Sequence, residues 1–148
     1  MAVTPNSVVT AQTPYAITAD LTAATACTTR APTATASLAG ANILAFVPVS
    51  TNGRRIDFVT VKGASSSFTA PTVAQTITIW MHDGTKAYPI KEIATTAVTP
   101  STTAASYESG PVPLGIVLPA AFSLYVSTSI TTTASTTALT ISAFGADL

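Results

Sequence analysis

The stretch TITIWMHDGTKAYPIKEI, residues 76–93, decides the fold, because apolar and polar side chains alternate on both sides of a central Asp-Gly pair. Alternation with a period of two is typical of a half-buried β-strand, and Asp-Gly is a frequent turn between paired strands. With a turn at residues 82–85, both strands agree about which face is the core. That face carries Ile77, Ile79, Met81, Tyr88 and Ile90, and the other carries Thr76, Thr78, Trp80 and His82. The stretch is predicted to be a β-hairpin.

Pro89 distinguishes between two lengths of the hairpin loop. A two-residue loop would place Pro89 at a hydrogen-bonded pair, where its missing N–H breaks the ladder, whereas a four-residue loop turns its nitrogen outward on an edge strand. We favour the four-residue loop. It gives the register Met81–Lys86, Ile79–Tyr88 and Ile77–Ile90. The apolar side changes between Ile90 and Ile93, and this change predicts a β-bulge near Lys91.

The same stretch contains the single His of the chain next to an acidic residue, a combination that can support catalysis. His82 and Asp83 are adjacent, however, so on a strand their side chains point to opposite faces and do not form an oriented acid–base pair. The lone Cys27 offers neither a disulfide nor a Cys-based zinc site. Nothing in the spacing brings Glu92 and Glu108 together as a carboxylate pair. We therefore expect a protein that is not an enzyme, with no catalytic, cofactor-binding or metal-binding residues.

Composition argues against two classes of partner. Only 8% of the 148 residues are charged and the net charge is zero, with Arg54-Arg55 as the only adjacent basic pair, so no basic cluster could neutralise nucleic-acid phosphates. The apolar run at 43–49 contains Pro48 and is far shorter than the roughly 18–20 residues of a spanning helix. The first residues show no basic region leading into an apolar one, so we expect synthesis in a cytoplasm without a secretory signal. Neither nucleic acid nor a membrane is expected as a partner.

The composition changes near residue 40, which predicts an N-terminal arm over residues 1–40 and a β-sandwich domain over residues 41–148. The arm is rich in Ala, Thr, Ser and Pro, which oppose a long helix, and we expect one or two short strands in it. A disordered tail is the alternative. Its apolar residues are Val8, Val9, Tyr15, Ile17 and Leu21. We expect them to dock on a neighbouring protein, so that deletion of residues 1–20 would leave a folded sandwich.

The second part of the chain consists of short apolar runs separated by turn residues, which is typical of all-β proteins. Strands are predicted at 42–49, 55–61, 76–82, 86–93, 112–118, 121–128 and 138–144, with loops at 62–75 and 95–111. The first run is apolar on both faces and is predicted to be a central, doubly buried strand. In the second run, one face is expected to carry Ile56 and Phe58, and the other Asp57, Val59 and Val61. The predicted fold is an all-β, jelly-roll-like β-sandwich with an extended N-terminal arm, although periodicity leaves an immunoglobulin-like sandwich open.

Four segments resemble the head decoration proteins, or capsid cement proteins, of tailed bacteriophages. They are RRIDFVTV (54–61), TITIWMHDGTKAYPIKEI (76–93), IVLPAAFSLYVSTS (116–129) and ALTISAFGADL (138–148). The resemblance implies a small virion structural protein that binds the exterior of a phage capsid and stabilises the major-capsid lattice. The implied partners are the major capsid protein and further copies of the chain, in a trimer or another small cyclic oligomer. The implied location is the capsid surface of the virion, after assembly in the host cytoplasm.

A phage tail or baseplate module, with a structural or carbohydrate-binding role, is the alternative function, because related β-folds occur there. Carbohydrate binding needs exposed aromatic side chains on a concave face, and Trp80, Tyr107 and Tyr125 are the candidates. The competing interpretation of Trp80 is packing at a subunit or sheet edge. The number of copies per purified virion distinguishes the two locations, since hundreds indicate a head protein and a handful indicate a tail protein.

Overall fold

The computed structural model describes residues 13–64, 72–135 and 137–148, and these residues form nine β-strands and one turn of 3-10 helix, Thr35–Ser37. The strands are β1 (Thr13–Asp20), β2 (Thr33–Ala34), β3 (Leu44–Val47), β4 (Arg54–Gly63), β5 (Gln75–His82), β6 (Lys86–Thr95), β7 (Val112–Leu118), β8 (Ser123–Thr128) and β9 (Leu139–Asp147). Two of the expected docking residues, Val8 and Val9, lie outside the described ranges. The described part of the chain is all-β, as predicted.

The strands form two antiparallel sheets that pack together as a β-sandwich. The first sheet has the order β1-β9-β4-β7 and the second the order β2-β6-β5-β8-β3. When the two-residue β2 is set aside and the other strands are renumbered along the chain, the sheets read 1-8-3-6 and 5-4-7-2. This is the strand order of a jelly roll, which is built from two Greek keys. The predicted fold class is confirmed, and the order selects the jelly roll over the immunoglobulin-like sandwich.

The main core lies between the two sheets, because the inward side chains of both sheets are aliphatic. Ile56 and Val59 of β4 and Ile141 of β9 have no exposed surface, and neither have Ile77 and Ile79 of β5. Burial of one such side chain stabilises the fold by about 1.5–3 kcal/mol. The core therefore determines which face of each strand points inward.

Residues 13–40 do not form an arm separate from the sandwich, so the predicted boundary is wrong for this part of the chain. β1 pairs with β9 at all eight of its positions and is an edge strand of the first sheet. Leu21 is fully buried in the main core, and Tyr15 and Ile17 pack against that core. These apolar side chains find their partners inside the same chain, because β1 supplies one edge of the jelly roll.

The segment between β1 and β3 covers the outer face of the second sheet. Cys27 N–H donates a hydrogen bond to the Thr128 carbonyl at 2.8 Å, which ties this segment to the end of β8. Leu38 and Ile43 are buried against Trp80 of β5 in a second apolar cluster. The one or two short strands expected in this region are β1 and β2, but they belong to the two sheets of the sandwich.

The hairpin predicted at residues 76–93 is confirmed as β5 and β6, but its register near the loop differs from the prediction. Met81 pairs with Tyr88 instead of Lys86. The turn closes when Asp83 N–H donates to the Lys86 carbonyl at 3.1 Å. The Asp83 carboxylate in turn accepts a hydrogen bond from the Lys86 N–H at 2.8 Å, and this side-chain contact fixes the turn one residue later than expected.

The β-bulge predicted in β6 is also confirmed. The ladder skips Ile90 between Pro89 and Lys91. Ile90 is 37% exposed, and Ile93, 6% exposed, faces Ile77 in the core instead. The prediction that Ile90 belongs to the core face is wrong, because a shift of one residue sends a side chain to the other face of a sheet.

Two further predictions about strands are corrected by the structure. β3 is a four-residue edge strand rather than a central one, and Leu44 at its start is 38% exposed. In β4, the register shifts between Ile56 and Phe58, which leaves Asp57 as the extra residue of a bulge. Ile56 and Val59 are therefore buried on one side and Phe58 points outward, contrary to strict alternation.

Of the two predicted loops, the 95–111 loop is fully described and the 62–75 loop only in part. The 95–111 loop connects β6 of the second sheet with β7 of the first, so it crosses between the sheets. Of the 62–75 loop, residues 65–71 lie outside the described ranges, and β4 extends to Gly63.

Candidate functional site

The outer face of the second sheet is closed by an apolar cluster around Trp80. Trp80 has no exposed surface, and its indole Nε1–H donates a hydrogen bond to Ser127 Oγ at 2.9 Å. The buried cluster also contains Leu38, Ala41, Ile43 and Ala87, with Cys27 and Tyr125 partly buried against it. This face therefore presents the covering segment, and not the Trp80 ring, to solvent.

His82 holds the covering segment against the hairpin loop. The side chain is buried, and the Gly84 N–H donates to Nδ1 at 3.2 Å, which requires this nitrogen to be unprotonated. Nε2 then carries the proton and donates to Thr35 Oγ1 at 2.8 Å, while Thr35 Oγ1 donates to the Thr85 carbonyl at 2.7 Å. Both ring nitrogens are engaged in structural hydrogen bonds. His82 is the buried last residue of β5, so the prediction that it belongs to the turn at residues 82–85 is wrong.

Asp83 stabilises the turn of the same hairpin. Its Oδ1 accepts hydrogen bonds from the Lys86 N–H at 2.8 Å, from the Thr85 N–H at 2.8 Å and from the Thr85 hydroxyl at 2.7 Å. These bonds favour the ionised carboxylate and lower the pKa of Asp83 from 3.8 to about 2, with the Lys86 N–H as the largest cause. An acid this strong holds the turn at neutral pH and does not serve as a proton donor there.

The other residues considered for chemistry are dispersed over the molecule. The Glu92 carboxylate forms an ion pair with Arg30 at 3.2 Å on the surface of the second sheet. The backbone of Glu108 instead pairs with that of Lys62, at the end of β4, in an isolated antiparallel β-bridge. Cys27 Sγ donates to a backbone carbonyl at 3.2 Å. No group of three or more His, Cys, Asp or Glu side chains within the described ranges could hold a metal ion. Nor do the described residues include a helix with the length and apolar character needed to cross a bilayer.

The aromatic platform considered for carbohydrate binding is not formed. Trp80 is fully buried. Tyr107 packs against the main core and its hydroxyl donates to the Ala94 carbonyl at 3.1 Å, whereas Tyr125 packs against the Trp80 cluster on the other side of the second sheet. Side chains on opposite sides of a sheet do not stack on one sugar ring, so these three residues do not constitute a common site.

The outer face of the first sheet, in contrast, is not covered by any segment within the described ranges. Phe58 of β4 pairs with Phe144 of β9, and their rings stack with centroids 4.9 Å apart and planes at 20°. Beside them, Thr18 Oγ1 and Ser142 Oγ share a hydrogen bond of 2.7 Å. We call the surface formed by Ala16, Thr18, Phe58, Thr60, Thr140, Ser142 and Phe144 the open face. All of these side chains are half-buried or exposed, so the open face is available to a partner.

Charged groups lie at the two ends of the open face and not in its centre. Arg55 Nε and Asp57 Oδ1 form an ion pair at 2.7 Å at one end of β4, and Lys62 is exposed at the other end. Sequence alternation missed this surface because the bulge at Asp57 turns Phe58 outward. The three-residue spacing between the apolar Ile56 and Val59 was the signal that could have indicated the bulge.

Arg54 ties three strands of the first sheet together at one end. It is 7% exposed, and its Nε donates to Asp147 Oδ1 of β9 at 2.6 Å while Nη1 donates to the Pro48 carbonyl at 3.0 Å. The guanidinium also lies 3.5 Å from the centroid of the Tyr15 ring of β1. Of the single adjacent basic pair, only Arg55 remains at the surface, so the pair does not form a basic patch.

The stability of the fold should decrease in acid through this ion pair. The hydrogen bond from Arg54 lowers the pKa of Asp147 below 3.8, so the ionised carboxylate contributes stability above about pH 4 that is lost as the pH falls through its folded pKa. We expect urea midpoints measured from pH 7 to pH 2 to show Asp147→Asn less stable than wild type at pH 7, with the difference narrowing below about pH 4. A difference that is constant with pH would contradict the role of this carboxylate.

Loss of the Trp80 ring should be costly for stability. Trp80→Ala is expected to lower the free energy of unfolding by about 3–5 kcal/mol, because it leaves a cavity beneath the covering segment. Trp80→Phe retains part of the ring volume but leaves the buried Ser127 hydroxyl without its donor. This variant is expected to lower the free energy of unfolding by about 1–3 kcal/mol. Ile90→Ala, at an exposed position of the same hairpin, is the control and should cost under about 1 kcal/mol in denaturant unfolding. If Trp80→Ala and Ile90→Ala lowered the free energy of unfolding equally, the Trp80 ring would not be buried beneath the covering segment.

Comparison with known proteins adds no further constraint on the candidate site. No protein-family model, no curated protein and no solved structure matches the chain.

Proposed function

We propose that the chain is a virion structural protein that binds the exterior of a phage capsid and stabilises the major-capsid lattice, as a decoration or cement protein. The open face is the observation that supports this function most directly. Its centre carries hydroxyls and a stacked phenylalanine pair but no charge among the described residues. Such a surface costs less to desolvate than a charged one, which suits a lasting contact with a neighbouring subunit.

The fold is compatible with this function without deciding it. Jelly rolls occur in viral capsid proteins, in lectins and in cupins, so the surface and not the fold distinguishes these functions. A lectin-like site would need an exposed aromatic platform, and the three tyrosine and tryptophan candidates do not form one. The open face leaves protein–protein contact as the best supported role.

In this proposal the partner is the major capsid protein, and the protein resides on the outer surface of the virion head after assembly in the host cytoplasm. Further copies of the chain act beside it in a small cyclic oligomer. Many copies, each with a modest interface, stabilise a lattice strongly because the contacts of one oligomer act together.

A charge placed in the open face tests the proposal. Thr60 lies on β4 between the inward-facing Val59 and Val61, so Thr60→Arg adds a cation to the open face without entering the core. We expect Thr60→Arg to reduce the amount of protein that co-sediments with phage heads lacking it by at least about tenfold, because the added charge must be desolvated. Ala36→Arg, at an exposed position on the covered side, is the matched control and should bind like wild type.

Two outcomes would argue against the proposal. Equal binding of Thr60→Arg and wild type, with unchanged melting temperatures, would show that the open face is not the docking surface. A handful of copies per purified virion, instead of hundreds, would place the protein in the tail.

A further inference from the structure

We infer that β1 is a strand-pairing site for a second copy of this chain, so that two first sheets join across a twofold axis into one continuous antiparallel sheet. Within the described ranges the edge strands are β1 and β7 in the first sheet and β2 and β3 in the second. An unpaired edge exposes a row of N–H and C=O groups, and natural proteins usually protect it.

Three of these four edges are protected against pairing. β2 has two residues and β3 has four with a register shift, so neither offers a long ladder. β7 contains Pro113, which has no N–H, and Gly115 with φ 59, which departs from the extended conformation. Pro residues and irregular backbone on an edge strand are devices that oppose pairing with another chain.

β1 has none of these protections over most of its length. It has eight residues and keeps a regular register with β9 from end to end. Its one Pro, Pro14, lies at the beginning and its one charge, Asp20, at the end. The inward side chains Tyr15, Ile17 and Ala19 pack against the core but are only partly buried. A strand placed alongside β1 would cover these partly buried side chains and would also form hydrogen bonds with the backbone groups at the edge of β1.

A second copy fits this edge better than a ring of several copies. A ring needs two different long edges on each subunit, and β7 is not suitable, whereas a twofold dimer uses the same edge twice. The zero net charge of the chain produces no long-range repulsion between copies. Antiparallel pairing also places the two Asp20 carboxylates at opposite ends of the shared ladder, away from each other.

The register of the shared ladder follows from the faces of β1. Directly opposite residues point to the same side of an antiparallel sheet. The core-facing residues of one β1 must therefore lie opposite the core-facing residues of the other. A register centred on Ala16 places Tyr15 opposite Ile17 of the second copy, and this pair occurs twice. Aromatic and β-branched side chains form favourable cross-strand pairs, which favours this register over one centred on Ile17.

Engineered disulfides test both the pairing and its register in the full chain. Cys27 is replaced by Ser, and a new Cys is introduced at Ala16 or at Thr18, which are both exposed on the same face of β1. Under mild oxidation Ala16→Cys should form a covalent dimer, because its Cβ would lie about 4.5–5.5 Å from that of the second copy. Thr18→Cys is the matched control and should remain mostly unlinked, since the two residues would be offset by four positions, or about 13 Å.

Light scattering of the wild-type chain at tens of micromolar completes the test and requires no capsid. The inference expects two chains per particle together with selective linking of Ala16→Cys. A monomer, a trimer, or equal linking of the two variants would overturn it. Because only the isolated protein is measured, these results do not depend on whether the chain binds capsids.

Discussion

Replacement of Gly145 by alanine is expected to prevent stable folding or to lower the free energy of unfolding by at least about 3 kcal/mol. Gly145 lies on β9 opposite Ile56 of β4, in the centre of the first sheet. A Cβ at this position would lie 1.9 Å from the Arg55 carbonyl oxygen and 2.8 Å from its carbon. These are backbone atoms, so the clash can be relieved only by separation of the two central strands. Circular dichroism and urea unfolding measure the effect.

Gly115→Ala is the matched control for this substitution. Gly115 has φ 59 in β7 of the same sheet, but nothing lies within 4 Å of the position its Cβ would take. Its replacement should therefore cost only the roughly 1–2 kcal/mol of the left-handed conformation. If Gly145→Ala proved no more destabilising than Gly115→Ala, this result would contradict the close approach of the β4 backbone to Gly145 of β9.

Deletion of residues 1–20 is expected to abolish cooperative unfolding, in contrast to the separable arm that composition predicts. The deletion removes all of β1, with its ladder to β9 and the partly buried Tyr15 and Ile17. It also removes the Tyr15 ring that the Arg54 guanidinium contacts. The summed loss is comparable with the roughly 5–15 kcal/mol that stabilises a whole domain. Thermal unfolding followed by circular dichroism should show a broad transition or aggregation.

Deletion of residues 1–12 alone is the control, since it leaves every described contact in place. This shorter truncation should melt cooperatively, close to the full chain. A cooperative and unshifted melt of the chain lacking residues 1–20 would instead restore the separable arm and would show that β1 is dispensable.

Side-chain periodicity determined the parts of the fold that depend on neighbours along the chain. The hairpin of β5 and β6 follows from alternation on both sides of Asp83-Gly84, and the bulge in β6 follows from the change of apolar side between Ile90 and Ile93. The short runs separated by turn residues likewise predicted an all-β sandwich. These features can be predicted because they depend on residues that lie close to one another along the chain.

The tertiary structure alone decided the strand order and the use of each face. The sequence of β1 does not indicate that β9, more than a hundred residues away, is its partner, nor that the segment around Leu38 and Ile43 covers Trp80. The bulge at Asp57 turns Phe58 outward and so creates the open face, although strict alternation places it beside Ile56. The physical reason is that period-two alternation defines two faces without naming their neighbours, and a slip of one residue exchanges those faces. Which face is buried is settled only when distant strands pack against each other.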